Sequence, residues 1–264
     1  MQKDSKVAIV TGGASGIGKV SAIELAKNGL RIAVIDVNEE NGKKVTEEIN
    51  KTIEAKFFYC DLTSVDQIRT TVEAIANDFG RIDVLLNCAA ITNRDRSHEI
   101  TEEQWDKFMA LDLKSPFFMA QSCASHMSRV GGGRIINFSS MRSIIADGKH
   151  ILYGCAKSAL NAMTRELAVD YCKDNIQVNA VLPSYVITPL NEMLLDQPGW
   201  EEEQLGYSLN LRLLWPKDIA SVVVFLATCE TPMVNGTCIY TDSGYLNFKY
   251  KAFRERAKAK GRHQ

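Results

Sequence analysis

A glycine-rich turn between a short apolar strand and a helix constrains this chain more than any other feature. The β-branched run at residues 7–11 leads directly into glycines at positions 12, 13, 16 and 18, and a helical pattern follows as far as Asn28. Such glycines let the chain turn tightly and let backbone N–H groups approach a pyrophosphate at the positive end of the helix. The sequence therefore predicts that residues 7–28 form the first βα unit of a dinucleotide-binding sheet.

Six further β-branched runs alternate with longer amphipathic segments. Apolar runs with little alternation indicate strands that are buried on both faces, as in a parallel sheet covered by helices. We therefore predict an α/β fold, a single-domain Rossmann-type doubly wound parallel sheet of about seven strands. The predicted strands are residues 7–10, 31–35, 56–60, 82–86, 134–138, 176–182 and 238–240.

We expect one dinucleotide-binding domain at residues 1–247, because no repeat or low-complexity tract divides it. An insert near residues 190–214 is expected to act as a mobile lid. A tail at residues 248–264 carries seven Lys or Arg and one Glu. Basic residues among aromatic ones can contact nucleic acid. A solvated or subunit-packing terminal helix is the favoured interpretation, and no nucleic-acid partner is expected.

The composition excludes several classes of protein. With 45% apolar residues, 24% charged residues and a net charge of -1, the chain is typical of an ordinary globular domain. Its apolar stretches are far shorter than the roughly 20 residues that span a bilayer, and no signal-peptide pattern is found. We expect a cytoplasmic protein without a membrane partner. Seven scattered cysteines without a Cys-x-x-Cys pair predict neither disulfides nor a metal site.

An acidic residue, Asp36, follows the second predicted strand, about 18 residues after the glycine turn. A carboxylate there can accept hydrogen bonds from the adenosine ribose hydroxyls and would repel a 2′-phosphate. Its neighbours Ala14, Ser15 and Val37 offer no cation to hold that phosphate. The sequence therefore favours NAD over NADP as the cofactor.

A tyrosine and a lysine, Tyr153 and Lys157, are four residues apart at the start of a helical pattern and therefore share one helix face. Ser140 ends the strand that precedes them. A phenol with a reference pKa near 10 needs a nearby cation to act as a base at neutral pH. Lys157 can supply that cation, and Ser140 can hold the substrate oxygen beside Tyr153.

The same spacing occurs at Tyr245 and Lys249, so it is not decisive by itself. Ser140 lies thirteen residues before Tyr153, whereas Pro232 stands at that offset before Tyr245. Because ligands bind at the carboxyl ends of strands in a parallel sheet, we assign the acid/base role to Tyr153.

With these residues in place, the sequence resembles the short-chain dehydrogenase/reductase family over residues 4–247. A looser similarity, in residues 117–121 and 183–185, links it to sugar-acid dehydrogenases of the gluconate and deoxygluconate kind. The matching features are the turn at residues 11–18, Asp36, Asp61, Leu62, residues 87–90, Ser140, Tyr153, Lys157, residues 179–183 and Thr188.

The resemblance implies a homotetramer and a full set of dinucleotide contacts. Asp61 and Leu62 would lie at the adenine, residues 87–90 beside the adenosine ribose, and Lys157 on the nicotinamide ribose. Thr188 and the backbone near Ile187 would contact the carboxamide. The implied cofactor-binding residues are Gly12, Ser15, Gly16, Ile17, Gly18, Asp36, Asp61, Leu62, Asn87, Ala89, Tyr153, Lys157, Pro183, Ile187 and Thr188.

Ala90, Ser184 and Ser243 stand where the family usually has glycine, and Cys88 where it has asparagine. A Cβ in place of glycine costs roughly 1 kcal/mol if φ is positive and nothing otherwise.

Asp112 replaces an asparagine that supports a proton-relaying water in the family. Its backbone carbonyl can still serve, and its carboxylate can pair with Lys157, so we count it with the catalytic residues and expect reduced or altered activity as one outcome.

The sequence thus predicts an NAD-dependent oxidoreductase that interconverts a secondary alcohol and a ketone. Polar and cationic residues favour a small polar substrate, such as a sugar, sugar acid or polyol, over one that needs an apolar cleft. A 3-oxoacyl-type reductase is the alternative enzyme, and a dinucleotide-binding sensor or scaffold without turnover is the alternative of another class. The candidate substrate residues are Arg94, Arg142, His150 and Tyr185.

Overall fold

A computed structural model describes residues 5–189 and 191–247, and these form one sheet of seven parallel strands flanked by helices. The predicted fold class is confirmed, and strand bounds differ from the predicted ones by at most two residues. The strands are β1 Val7–Thr11, β2 Arg31–Asp36, β3 Ala55–Tyr59, β4 Val84–Asn87, β5 Gly133–Phe138, β6 Ile176–Pro183 and β7 Cys238–Thr241.

The strand order is β3-β2-β1-β4-β5-β6-β7. Strands β2 and β3 are added on one side of β1 and strands β4 to β7 on the other, so the order of addition reverses between β1 and β4. In sheets of this kind, ligands bind where the order reverses, outside the carboxyl ends of the strands. Thr11 fastens this point, because its Oγ1 accepts hydrogen bonds from the N–H groups of Cys88 (3.0 Å) and Ala89 (3.2 Å).

Helices cover both faces of the sheet. Alternate residues of β1 enter two separate cores: Ala8 and Val10 pack with α1, α2 and α8, while Val7 and Ile9 pack with α3, α5 and α6. This two-sided burial explains why the strands lack a polar face. The helices are α1 Gly16–Lys27, α2 Glu39–Ile49, α3 Val65–Phe79, α4 Glu102–Met109, α5 Ser115–Arg129, α6 Ile151–Asp170, α7 Trp200–Leu205 and α8 Pro216–Thr228.

Helix α3 begins and ends where the sequence indicates, with one difference at its start. Ser64 caps the helix by accepting from the Gln67 N–H (3.4 Å), and Gly80 ends it with φ +78°. A Ser-x-x-Gln sequence predicts a reciprocal capping box. The Gln67 side chain instead accepts from the Asp61 N–H (2.9 Å), so it fixes the end of β3 relative to α3.

A π-helical turn, Ala110–Lys114, joins α4 to α5. Pro116 has no N–H, so the α-helical hydrogen bond to the Asp112 carbonyl cannot form. The Ser115 hydroxyl donates to the Leu111 carbonyl (2.7 Å) and stabilises the widened turn. Such turns inside long helices are frequent at functional sites, and this one carries Asp112 into the interior.

Of the positions where the family usually has glycine, only Ser243 adopts a positive φ, at +53°. Ala90 and Ser184 are therefore free of this strain, whereas Ser243 carries a cost of about 1 kcal/mol. The Ser243 hydroxyl lies 2.8 Å from the Ser208 hydroxyl and accepts from the Asn210 N–H (3.3 Å). These contacts tie the insert to the turn after β7.

The insert contains a 3₁₀ helix, Glu192–Asp196, followed by α7. Leu190 and the basic tail at residues 248–264 lie outside the described residues. Within the described ranges, we find no helix of the length and apolar character that crossing a membrane requires.

A row of buried polar side chains connects the strands beneath the site. Asn87 Nδ2 donates to Asn137 Oδ1 (2.9 Å) and to the Pro116 carbonyl (3.2 Å). Asn137 Nδ2 donates in turn to Thr164 Oγ1 (3.0 Å). The row therefore links β4, β5, α5 and α6, and Asn137 is its central member because it bonds to both Asn87 and Thr164.

We predict that Asn137→Ala lowers the free energy of unfolding by about 2–4 kcal/mol, because it leaves buried polar groups without partners and opens a cavity. Urea denaturation measures this change. Asn28→Ala removes an exposed amide that donates to the Glu24 carbonyl, and should cost about 0.5 kcal/mol or less. Equal losses in the two variants would contradict a supporting role for the row.

Candidate active site

The glycine turn forms a cradle that only glycine fits. Gly12 has φ +65°, and a Cβ there would lie 2.8 Å from Ala89 Cα. A Cβ on Gly18 would overlap the Gly12 carbonyl oxygen. The start of α1 thus packs directly against the end of β1. Because these positions have no side chains, a ligand can approach the backbone itself.

The N-terminus of α1 is open toward this cradle. Ser15 precedes the helix, and its side chain caps no backbone N–H. Unsatisfied N–H groups at a helix start favour a phosphate. Thr188, which follows β6, would lie 3.8 Å from a Cβ on Gly16. The cradle therefore reaches from the turn to the segment after β6, which fits an extended dinucleotide.

Asp36 is held against the turn by two backbone N–H groups. Its Oδ2 accepts from Ala14 (3.1 Å) and its Oδ1 from Asn38 (3.0 Å). The adjacent Val37 is 59% exposed. A carboxylate fixed in this position can accept from ribose hydroxyls and adds negative charge where a 2′-phosphate would lie.

Two of the residues that the resemblance assigns to the cofactor turn their side chains inward. Asn87 is part of the buried polar row, and Leu62 packs in the core with Ile68. Both can therefore face a ligand only through their backbone, and the cofactor contacts that the resemblance implies for them stay predictions. The carboxylate of Asp61 accepts from the N–H and hydroxyl of Thr63 (2.9 and 2.8 Å).

In the segment after β6, two backbone N–H groups already have hydrogen-bond partners. The Ile187 N–H donates to the Leu214 carbonyl (2.9 Å), and the Thr188 N–H donates to Asn191 Oδ1 (2.8 Å). Pro183 is the last residue of β6 and pairs with Thr241. These bonds fix the backbone that borders the cradle and leave the Thr188 side chain directed toward Gly16. Ile17, in the first turn of α1, packs against the core of that face.

Ser140, Tyr153 and Lys157 come together at the carboxyl end of β5. Tyr153 and Lys157 lie one turn apart in α6, and Lys157 Nζ is 5.4 Å from the Tyr153 ring centroid. Lys157 is only 2% exposed. Burial raises the pKa of the Tyr153 phenol, Lys157 and Ser140 lower it, and Asp112 and Cys88 raise it. The phenol thus lies among groups that can adjust its proton affinity.

Serines that the sequence did not single out hold this cluster in place. The Ser139 hydroxyl donates to the Lys157 carbonyl (3.2 Å), which fixes β5 to α6. Ser143 Oγ accepts from Asn161 Nδ2 (2.8 Å), and the Ser143 carbonyl accepts from Ser158 (3.0 Å). These bonds join residues that are 15 to 18 positions apart, so only the folded chain identifies them.

Two of the candidate substrate residues share an acidic partner that the sequence analysis missed. Asp147 Oδ2 lies 2.9 Å from Arg142 Nη2 and 2.8 Å from His150 Nδ1. Burial raises the pKa of Asp147, but His150, the Lys149 N–H and Arg142 outweigh it and hold that pKa below its usual value. Asp147 therefore ties both Arg142 and His150 to the loop between β5 and α6.

Arg94 and Tyr185 lie close enough for the charge of Arg94 to act on the Tyr185 phenol. Burial raises the pKa of Tyr185, and the charge of Arg94 opposes that rise. Arg94 is exposed and forms no ion pair with any described residue. The Tyr185 ring packs edge-on against Trp200 of α7, with centroids 5.2 Å apart, so the insert covers this side of the site.

No group of three metal-binding side chains occurs within residues 5–189 and 191–247. The cluster itself brings together a phenol, an ammonium, a hydroxyl and a carboxylate beside the glycine cradle.

Comparison with known proteins agrees with this geometry. A family described as Enoyl-(Acyl carrier protein) reductase matches residues 12–246. The NAD-dependent glycerol dehydrogenase of Listeria innocua is 34% identical over 91% of this chain and 93% of its own length. The 2-dehydro-3-deoxy-D-gluconate 5-dehydrogenase of Escherichia coli is 35% identical over 92% of this chain and 96% of its own.

A solved structure shows the same architecture. The gluconate 5-dehydrogenase of Burkholderia cenocepacia, in complex with NADP and tartrate, superposes with a TM-score of 0.87. It is 28% identical and covers 93% of this chain and 97% of its own.

We predict that Gly18→Ala weakens dinucleotide binding by about 1–3 kcal/mol, because the new methyl group must displace the Gly12 carbonyl. Titration of NADH fluorescence measures the affinity. Gly29→Ala is the matched control: its φ is +85°, and no atom lies within 4 Å of the added Cβ. It should lose stability by about 1–2 kcal/mol and keep its affinity. Unchanged binding in Gly18→Ala would contradict the proposed cradle.

Proposed function

The chain belongs to the short-chain dehydrogenase/reductase family, and from that premise we propose that it interconverts a secondary alcohol and a ketone on a small polar substrate, with Tyr153 as the acid/base. The observation that carries the proposal is the meeting of Tyr153, Lys157 and Ser140 at the carboxyl end of β5, beside the glycine cradle. The catalytic domain of the proposal is residues 1–247, with the insert near 190–214 as a lid.

In the oxidation, the Tyr153 phenolate accepts the proton of the substrate hydroxyl. The Ser140 hydroxyl holds the same oxygen, and the ammonium of Lys157 stabilises the phenolate. The bound nicotinamide dinucleotide supplies a hydride acceptor for oxidation and a hydride donor for reduction. In the reverse direction, the Tyr153 phenol returns its proton to the oxygen of the ketone.

We propose NAD as the cofactor. The support is the fixed Asp36 carboxylate and the apolar Val37 beside it, which disfavour a 2′-phosphate. The NAD-dependent glycerol dehydrogenase is consistent with this choice, whereas the gluconate 5-dehydrogenase structure contains NADP. Because these relatives differ in cofactor, the proposal of NAD rests on Asp36 and Val37 of this chain.

For the substrate, we propose a sugar, sugar acid or polyol. The relatives that act on glycerol and on a deoxygluconate support a polyhydroxylated compound. The exposed guanidinium of Arg94, beside Tyr185, can take a carboxylate or several hydroxyls. The contacts of Asp147 with Arg142 and His150 make the loop between β5 and α6 polar. A long acyl chain, the substrate of the 3-oxoacyl alternative, would need an apolar cleft.

The homotetramer that the resemblance implies remains a prediction. The outer surface of α4, the π turn and α5 carries a groove of about 1170 Å³ that a second copy can cover. Its apolar residues are Met109, Ala110, Leu113, Phe117 and Met163. A cytoplasmic location also remains a prediction, and it is consistent with seven unpaired cysteines.

We predict that the protein uses NAD(H) ahead of NADP(H) by about tenfold or more, equivalent to about 1.4 kcal/mol. Asp36→Ala combined with Val37→Arg should reverse this ratio, because a repelling carboxylate is exchanged for a phosphate-binding guanidinium. The measurement is kcat/KM with each cofactor. Val37→Leu, which changes no charge, should keep the wild-type ratio. Equal use of both cofactors by the wild type would refute the role of Asp36.

The class of substrate is tested by a screen of polyols, sugar acids, sugars and 3-oxoacyl esters with both cofactors. We expect turnover with a polyol or a sugar acid. Turnover with oxoacyl esters alone would favour the 3-oxoacyl alternative. NADH binding without turnover of any compound would favour the sensor or scaffold.

We predict that Tyr153→Phe lowers kcat roughly 100-fold or more, because it removes the proton acceptor and keeps the ring. NADH binding should stay nearly unchanged. Tyr245→Phe is the control, since Tyr245 packs on Tyr207 with ring centroids 4.9 Å apart, and it should keep most of its activity. Similar rates in the two variants would show that Tyr153 is not the acid/base.

A further inference from the structure

Asp112 is a fully buried carboxylate (0% exposed) next to the buried ammonium of Lys157. Its Oδ2 lies 3.5 Å from Lys157 Nζ. A charge without a partner is costly in the interior, so each group compensates the other. From the sequence, the Asp112 carboxylate can pair with Lys157, and in the structure the two side chains form this ion pair.

The two carboxylate oxygens of Asp112 have different partners. Oδ1 accepts from the N–H of Ile91 (3.0 Å), in the loop after β4. Among the residues that the structure describes, Oδ2 has no conventional hydrogen-bond partner, and it forms an ion pair with the Lys157 ammonium. One carboxylate therefore touches the catalytic lysine and the backbone three residues before Arg94.

We propose that Asp112 is a positioning residue, which ties the loop after β4 to Lys157 and sets the pH range in which Tyr153 accepts a proton. This inference rests on the proposed function, because it assigns the acid/base role to Tyr153. A neutral amide at this position would keep one bond to the loop and lose the charge. The charge of the Asp112 carboxylate thus acts on the proton affinity of Tyr153, which a neutral amide would not do.

Four groups from separate elements face the Tyr153 phenol. They are Lys157 in α6, Asp112 in the π turn, Ser140 after β5 and Cys88 after β4. Burial raises the pKa of the Cys88 thiol to about 12, so the thiol carries no charge at neutral pH. Asp112 and Lys157 are therefore the two charges that act on the phenol.

The sign of the effect follows from these charges. Burial raises the pKa of Asp112, while Lys157 and the Ile91 N–H lower it. When ionised, Asp112 offsets part of the positive charge of Lys157 and so raises the pKa of Tyr153. Alcohol oxidation needs the phenolate. The rate should therefore rise at a higher pH in the wild type than in a variant without the carboxylate.

Asp83 offers a matched control at the other end of β4. It is also buried, its Oδ2 accepts from the Val7 N–H (2.8 Å), and it pairs with Arg81 (2.6 Å). It therefore has the same kind of partners as Asp112, one backbone N–H and one cation, but lies at the amino end of the sheet. Loss of its charge disturbs the fold without altering the site.

The experiment measures kcat/KM for alcohol oxidation against pH in the wild type, Asp112→Asn, Asp112→Ala and Asp83→Asn. In Asp112→Asn the rising limb should move to lower pH by about one unit, with KM within about twofold because the amide oxygen still accepts from Ile91. Asp112→Ala should show the same shift and a KM raised about tenfold, since the loop loses its bond, which is about 1.4 kcal/mol. Asp83→Asn should leave the limb in place.

An unmoved limb in both Asp112 variants would overturn the proposal, and so would a shift in Asp83→Asn of the same size. A wild-type KM in Asp112→Ala would overturn the coupling to the loop. Ultraviolet difference titration of tyrosine, with Tyr153→Phe as the subtracted reference, gives a readout that needs no turnover. A wild type that oxidises no alcohol refutes the proposed function, whereas an unchanged tyrosine titration in Asp112→Asn refutes this inference.

Discussion

Parallel pairing of seven strands, in a sheet with helices on both faces, is the constraint on which the rest of the structure depends. Because every strand runs in the same direction, all carboxyl ends meet at one edge of the sheet. Residues far apart in sequence, such as Asp36, Ser140 and Thr188, are brought to that edge. The reversal of strand order between β1 and β4 then opens the crevice in which a dinucleotide can lie.

Compensation of buried charge is the second requirement of this architecture. Lys157 must be buried to reach Tyr153, and a buried ammonium needs a partner. Asp112 supplies it, and the π turn before Pro116 brings Asp112 inside. Chemistry and stability are thus linked. Asp112 and Lys157 act on the proton affinity of the Tyr153 phenol, and each also compensates the buried charge of the other.

The strands, the glycine turn and the cluster of Ser140 with Tyr153 could be predicted because each depends on residue type at a fixed short spacing. The contacts of Asp147 and the bonds of the Ser243 hydroxyl to the insert could not be predicted. They join residues whose distance depends on how loops fold back, and no local pattern encodes that distance. For the same reason the sequence does not indicate that the side chains of Asn87 and Leu62 point into the core.

The sequence by itself determined the fold class, the cradle and the identity of the candidate acid/base, since periodicity, glycine and helix-face spacing are properties of neighbouring residues. Only the tertiary structure decided which charges meet. It placed the Asp112 carboxylate 3.5 Å from Lys157 and paired Arg142 with Asp147, while Arg94 remained without an ion pair among the described residues. Charge interactions depend on distance and burial, and both quantities exist only once the separate elements have packed together.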